Sequence, residues 1–336
     1  MKSALFVSET IVEEYGDQIS AILSEAPKPM DLLVFRPHED YSADQLARIE
    51  AAFYSRDIWQ GTVRNCLSPA AQAFWRYVDR AANLKWLQVL SAGMDQQAYQ
   101  PSIQRGIQIT TSSGTNAEPV GLTAVTGLLM LARGFPHWIK SQQMRQWAPI
   151  APERAAHDLK GQTALIIGTG SIGMVIARVL QAVGLRTVGV RRKADAVQFF
   201  DEIHALEDLD HLLPSADWLI LACPLTKATR GLISARRLAL LPRGAGVVNI
   251  ARGEILDEEA LIDALRREHL MGAYLDVFHE EPLPVSSPLW TLPNVIVTPH
   301  NSAVSAGNYQ RSVERFLANL SAYLHGKPMT SVAMPE

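Results

Sequence analysis

Two cysteines, Cys66 and Cys223, are all that 336 residues contain. A chain so poor in thiols builds neither a disulfide framework nor a cysteine-based metal site. It also lacks any run of Lys and Arg longer than three residues, and its formal net charge is -3. Nucleic acids and anionic membrane surfaces require a basic footprint, so both are excluded as partners. No uninterrupted apolar run approaches the roughly 20 residues that cross a bilayer. The opening run, Met1 to Val7, is followed at once by Glu9, Glu13 and Glu14. It is too short for a signal-peptide core and is read as a first strand. The expected location is therefore the cytoplasm.

What is present is alternation. At this length two domains are expected, or one large domain with an insertion. In the first hundred residues, Leu32–Phe35, Leu84–Leu90 and Ile107–Ile109 read as strands, and Ser42 to about Tyr54 as a helix. From Glu118 to Arg133 the pattern is helical and strongly apolar, as for a buried helix joining two domains. The stretch from Phe135 to His157 carries Pro136, Pro149 and Pro152 with Trp138 and Trp147. It reads as an exposed arm that reaches a second subunit, which predicts a homodimer. A second alternation begins at Gly161, with strands at 164–167, 187–190, 218–222, 246–250, 272–277 and 295–298. Strands separated by helices require crossovers, hence a mainly parallel, doubly wound sheet. From Ser305 to Leu324 a helix with an apolar stripe (Val313, Phe316, Leu317, Leu320, Leu324) is placed to rejoin the first domain.

Gly168-Thr169-Gly170-Ser171-Ile172-Gly173 follows the strand at 164–167 and opens a helix from Met174. This is the order a dinucleotide site needs. The first glycine permits the tight turn and the second lets backbone approach a pyrophosphate. The third lets helix pack on strand, so that the helix N-terminus faces the anion. About twenty residues on, an NAD site carries an acid for the ribose hydroxyls. Here the strand ends in Arg191-Arg192-Lys193 instead. Three cations attract a 2′-phosphate that a carboxylate would repel, so NADP(H) is expected, with NAD(H) possible. A solvated surface cluster is the competing reading, and Asp195 lies close by.

Three further strand ends carry chemistry. Arg252 follows Val247–Ala251, Glu280 and Glu281 follow Leu275–His279, and His300 follows Val295–Pro299. In parallel α/β sheets ligands bind at such carboxyl ends. A 2-oxo acid presents a carboxylate and a ketone. The Arg252 fork suits both, and His300 can pass a proton to the developing alkoxide. Glu281 would orient the imidazole. Taken one at a time, these residues are as readily a packing or capping histidine and two surface charges. Their common placement on one sheet edge favours the chemical reading. His279 is read as solvated.

With these motifs in order, the chain resembles the D-isomer-specific 2-hydroxyacid dehydrogenase family. The pieces are Gly168–Gly173, Cys223-Pro224-Leu225-Thr226, Asn249–Gly253, Asp276-Val277-Phe278 with Glu281-Pro282, and Thr298-Pro299-His300. The resemblance covers nearly the whole chain. Arg191-Arg192 and Pro288-Leu289-Trp290 look most like its glyoxylate/hydroxypyruvate reductase branch. The resemblance implies two Rossmann-like α/β domains, each a doubly wound parallel sheet. One is a flavodoxin-like substrate domain (1–117 plus 304–336) and the other a dinucleotide-binding domain (118–303). It gives Arg252, Glu281 and His300 the roles above, and selects Glu281 over Glu280 because the family acid directly precedes the proline. Ser91, Ala92 and Gly93 match a loop whose amides hold the substrate carboxylate, although a plain strand-ending turn fits the same residues. Ile250, Ala251 and Asp276 match cofactor contacts, the last two at the nicotinamide amide, and Cys223, Pro224 and Leu225 match the nicotinamide wall. Trp290 is a candidate pocket residue or a buried structural one. Where the family usually enters its interdomain helix with Ala-Glu, this chain has Gly121-Leu122.

The expected activity is NADPH-preferring reduction of a small 2-oxo acid to the D-2-hydroxy acid. Two alternatives compete. One is a dinucleotide-sensing, corepressor-like binding protein. The other is a dehydrogenase of another small anion, such as formate or phosphite.

Overall fold

The computed structural model describes residues 2–62, 66–151 and 157–333. Pro152 of the arm lies outside them. The chain divides into two compact units, Met1–Thr115 with Ser305–Glu336, and Asn116–Val304.

The first unit is built on β1 (Ser3–Ser8), β2 (Met30–Phe35), β3 (Ile49–Tyr54), β4 (Trp86–Val89) and β5 (Gln108–Thr110). Their order is β2-β1-β3-β4-β5, and neighbouring strands pair in parallel. This is the flavodoxin-like order. A parallel sheet is covered on both faces, which is why its strands read as continuous apolar runs. The helix Asn308–Leu324 supplies Val313, Phe316 and Leu320 to the core that holds Leu5, Val7, Phe53 and Trp86. Phe316 stacks on Phe53 with ring centroids 4.3 Å apart.

One expectation is corrected here. The single helix read from Ser42 to about Tyr54 is a short helix followed directly by a strand. Ser42 and Gln45 form a capping box that starts the helix Ala43–Arg48. Ile49 then leaves it with extended backbone and begins β3, a central strand between β1 and β4. Ile49 and Ala51 to Tyr54 are fully buried. Burial on both faces gives a strand the unbroken apolar signature that also marks a buried helix.

The second unit contains β6 (Thr163–Ile167), β7 (Arg186–Arg191), β8 (Glu202–Ala205), β9 (Trp218–Leu221), β10 (Ala245–Asn249), β11 (Leu270–Leu275) and β12 (Val295–Val297). The order is β12-β11-β10-β9-β6-β7-β8. All of these pairs are parallel. Strand order reverses between β6 and β9, the point at which doubly wound sheets open a ligand crevice. β8 was not anticipated. It is a short edge strand, Glu202-Ile203-His204-Ala205, with no fully buried residue, and so carries no apolar run to read.

The helix Ala117–Ala132 packs on this second sheet with Val120, Ala124, Leu128 and Leu131 in a core shared with Ile166, Ile220 and Tyr274. Gly121 answers the departure noted at Gly121-Leu122. A Cβ there would lie 2.6 Å from Val175 on the helix Ser171–Ala182, so the missing side chain lets the two helices close. The arm begins as a helix, Phe135–Gln143, and leaves Phe135, Trp138, Ile139, Met144 and Trp147 exposed, Trp147 almost completely. Among the described residues no single helix is long and apolar enough to cross a membrane.

Candidate active site

The glycine cradle has the geometry its sequence demands. Gly168 sits at φ +104°, and a Cβ on it would lie 2.5 Å from the Ala222 carbonyl oxygen. Both the left-handed backbone and the contact require glycine. Gly173 lies so close under Gly168 that a Cβ would approach its carbonyl oxygen to 2.1 Å. Gly170 differs, since nothing stands within 4 Å of its would-be Cβ. It caps the helix Ser171–Ala182 without any side-chain hydrogen bond. The open face above Gly170 and the uncapped first turn fit a pyrophosphate, an anion that backbone amides and the helix dipole both favour. Thr169 is buried, whereas Ser171 and Ile172 begin the helix. At the end of β7, Arg191, Arg192 and Lys193 are exposed, as is Asp195.

Across the switch point Cys223 is buried, and burial pushes its thiol up to about 12. Leu225 is partly covered and Pro224 exposed. Their turn is locked by Thr229, whose hydroxyl donates to the Pro224 carbonyl at 2.7 Å and accepts from the Thr226 amide at 2.8 Å.

Arg252 leaves β10 on a turn braced by Asn249, a fully buried residue. The Asn249 amide donates to the Arg252 carbonyl at 3.0 Å, and its oxygen accepts from the Ala251 amide at 3.1 Å. Ile250 and Ala251 are buried beneath. The Arg252 guanidinium donates to the Ala251 carbonyl at 2.7 Å. The bracing role of Asn249 was missed in the sequence, where a polar side chain closing a wholly apolar strand is its only signal.

The acid and the imidazole meet. Glu281 Oε2 lies 2.7 Å from His300 Nδ1. A carboxylate can only accept, so Nδ1 carries the proton and Nε2 is left to face a reaction partner. Oε1 of Glu281 accepts from the Phe278 amide at 3.1 Å. The Glu281 side chain is 9% exposed and that of His300 40%, a held acid beside a reachable base. Glu280 and His279 are both exposed. His300 has φ +50°, a conformation a non-glycine residue adopts only when its surroundings impose it.

Asp276 imposes it. Its carboxylate is fully buried and accepts from the Thr298 hydroxyl at 2.6 Å, the Asn301 amide at 2.9 Å and the Ser302 amide at 3.2 Å. Its carbonyl accepts from the His300 amide at 2.8 Å. Hydrogen bonds to a charged group contribute about 1.5–3 kcal/mol each, which offsets the cost of burying the carboxylate.

Trp290 is 51% exposed, not a buried structural residue, and its indole N–H donates to the Pro284 carbonyl at 2.9 Å. Ser91, Ala92 and Gly93 belong to the first unit, just past β4. The Ser91 hydroxyl donates to the Gly93 carbonyl at 2.8 Å and lies 2.9 Å from the Tyr99 hydroxyl, which shapes the loop. Ala92 is exposed.

Comparison with known proteins agrees with this chemistry. Residues 125–302 match the model of the D-isomer specific 2-hydroxyacid dehydrogenase NAD binding domain. A glyoxylate reductase of Thermofilum pendens is 33% identical over 254 residues, covering 74% of this chain and 75% of its own. A second, from Thermococcus gammatolerans, is 34% identical over 259 residues, covering 74% and 76%. A D-isomer specific 2-hydroxyacid dehydrogenase from Xanthobacter autotrophicus Py2, solved with NADPH and MES, superposes with a TM-score of 0.77 at 28% identity, over 100% of this chain and 99% of that one. The chain belongs to the D-isomer specific 2-hydroxyacid dehydrogenase family and is an NAD(P)-dependent oxidoreductase.

Proposed function

We propose that the protein is an NADPH-preferring reductase of a small 2-oxo acid of the glyoxylate or hydroxypyruvate type, giving the D-2-hydroxy acid. The observation that carries this reading is the His300–Glu281 pair at 2.7 Å, with Arg252 on the neighbouring strand end. Arg252 holds the substrate carboxylate and polarises the ketone. Ser91, Ala92 and Gly93 are proposed as further donors to the carboxylate, and Trp290 as a wall of the substrate pocket. Bound NADPH supplies the hydride. His300 acts as the imidazolium: its Nε2 proton goes to the carbonyl oxygen as that becomes an alkoxide, leaving a neutral ring protonated at Nδ1. Glu281 holds the ring and favours its charged form before the transfer.

The residues proposed to hold the cofactor are Gly168 to Gly173, Cys223 to Leu225, Ile250, Ala251, Asp276 and His300. Arg191, Arg192 and Lys193 favour the 2′-phosphate, and the relative solved with NADPH supports that preference. The two glyoxylate reductases support the substrate class. In this reading residues 118–303 bind the dinucleotide, and 1–117 with 304–336 form the substrate domain.

We further propose a homodimer through residues 135–157, supported by the exposed Trp138 and Trp147. A cytoplasmic location is supported by two free thiols. A monomeric mass by light scattering at micromolar concentration overturns the dimer.

The test of activity is a panel of 2-oxo acids with NADPH and with NADH, together with formate and phosphite offered NADP+ and NAD+. Consumption of NADPH with glyoxylate or hydroxypyruvate is expected. Binding of NADPH without turnover of any 2-oxo acid would sink the proposal.

A further inference from the structure

At the His300 loop Tyr274 joins a buried line of polar groups, and its own side chain takes no part in the proposed chemistry. Tyr274, on β11, is 2% exposed. Its hydroxyl lies 2.8 Å from that of Thr298. Thr298 has one proton, and it is directed to Asp276 Oδ1 at 2.6 Å. The contact between the hydroxyls therefore has Tyr274 as donor and Thr298 as acceptor. Asp276 in turn gathers the amides of Asn301 and Ser302 on its carboxylate and that of His300 on its carbonyl. The residues flanking His300 at 298, 301 and 302 are thus tied to one carboxylate, and His300 at φ +50° is held between them.

The far end of the line is also fixed. The Tyr274 ring lies in a notch that Gly127 leaves in the helix Ala117–Ala132, where a Cβ would come within 2.2 Å of the ring. The ring cannot slide without moving that helix. Burial raises the phenol to about 12, so the group stays a donor at any working pH.

We infer that Tyr274 is a positioning residue whose hydroxyl, acting through Thr298 and Asp276, fixes His300 in the left-handed backbone conformation from which its imidazole meets Glu281. The inference rests on the proposed acid role of His300.

Tyr274→Phe tests it, because the ring still fills the Gly127 notch and only the hydroxyl is lost. The kcat for 2-oxo acid reduction should fall about tenfold, the scale of one net hydrogen bond, while KM for the oxo acid and Kd for NADPH stay within about twofold. Thr298→Val should lose as much, and Thr298→Ser should recover most of it. The Tyr274→Phe/Thr298→Val double variant should be no worse than Thr298→Val alone, as for two members of one chain. Hydrogen exchange gives a readout independent of turnover: the Asn301 and Ser302 amides should exchange about tenfold faster in Tyr274→Phe. Unchanged exchange with wild-type kcat overturns the inference, as does a multiplicative loss in the double variant. Parallel loss of NADPH affinity also overturns it, since the hydroxyl would then support the cofactor site and not His300 in particular. His300→Ala separates the two readings. If it turns over substrate at the wild-type rate, the acid assignment itself fails. If it is inactive while Tyr274→Phe is normal, only the positioning role falls.

Discussion

Gly253 and Phe278 meet backbone to backbone: a Cβ on Gly253 would lie 1.9 Å from the Phe278 carbonyl carbon and 2.2 Å from the His279 nitrogen. The Phe278 amide also donates to Glu281. The turn that presents Arg252 and the turn that presents the acid are therefore both seated on Phe278, one at its carbonyl and the other at its amide. Neither can shift without the other.

Gly253→Ala should consequently damage the site out of proportion to one added methyl group. The clash is with the Phe278–His279 backbone, which no rotamer change relieves. A displacement of about 1 Å at a reacting group costs on the order of 10²-fold in rate. We expect kcat/KM for the oxo acid to fall by about that factor while NADPH still binds, as read by cofactor fluorescence. A variant with near-wild-type kcat/KM would show that the two turns move independently.

His300→Ala should lower kcat by about 10²–10⁴-fold, the range supplied by a positioned general acid. Glu281→Gln should lower it less. A glutamine oxygen can still accept from the Phe278 amide, but the negative charge beside the imidazolium is gone. Arg252→Ala should act mainly on kcat/KM, because it removes binding together with carbonyl polarisation. Steady-state kinetics on the three variants checks the ranking, and equal losses in kcat for Glu281→Gln and His300→Ala would contradict it.

Cofactor choice is carried by a different edge. Arg191 ends β7 and Arg192 follows it, both exposed. Charge-assisted hydrogen bonds to a phosphate contribute about 1.5–3 kcal/mol each. Arg191→Ala/Arg192→Ala should raise KM for NADPH by about 10–100-fold and leave NADH within about twofold. The wild-type KM for NADPH should also rise with salt, while that for NADH changes little. Equal weakening of both cofactors would assign the arginines to some other task.

These predictions rest on features of unequal legibility in the sequence. Gly168, Gly170 and Gly173 could be read directly, since the turn at Gly168 and the helix contact at Gly173 forbid a side chain and the open face at Gly170 is what a pyrophosphate needs. Glu281 and His300 could be read as a pair only through their order before Pro282 and after Pro299. Asn249, Thr298 and Tyr274 were not legible as a group, because their meaning lies in contacts between strands far apart in the chain. The helix expected through Tyr54 failed for a related reason. A capping box at Ser42 announces where a helix starts, but nothing local announces that Ile49 to Tyr54 will be claimed by β1 and β4. Edge strand β8, partly charged, gave no apolar run at all.

The two thiols give a last, inexpensive check on the switch-point geometry. Cys66 is exposed, whereas Cys223 is buried against the first glycine of the cradle, its amide nitrogen 2.7 Å from where a Gly168 Cβ would stand. With the Cys223 thiol pushed up to about 12, its thiolate fraction at pH 8 is about one in ten thousand, and the thiolate is the reactive form. The shift is upward, so reactivity should stay low across neutral pH and rise only as pH nears the raised value. Brief iodoacetamide treatment at pH 8, followed by peptide mass analysis, should modify Cys66 and spare Cys223. Denaturant should expose both equally. Rapid labelling of Cys223 in the native protein would mean that the loop from Cys223 to Thr226 opens readily, and that the buried seat described beside Gly168 is not how the protein spends its time.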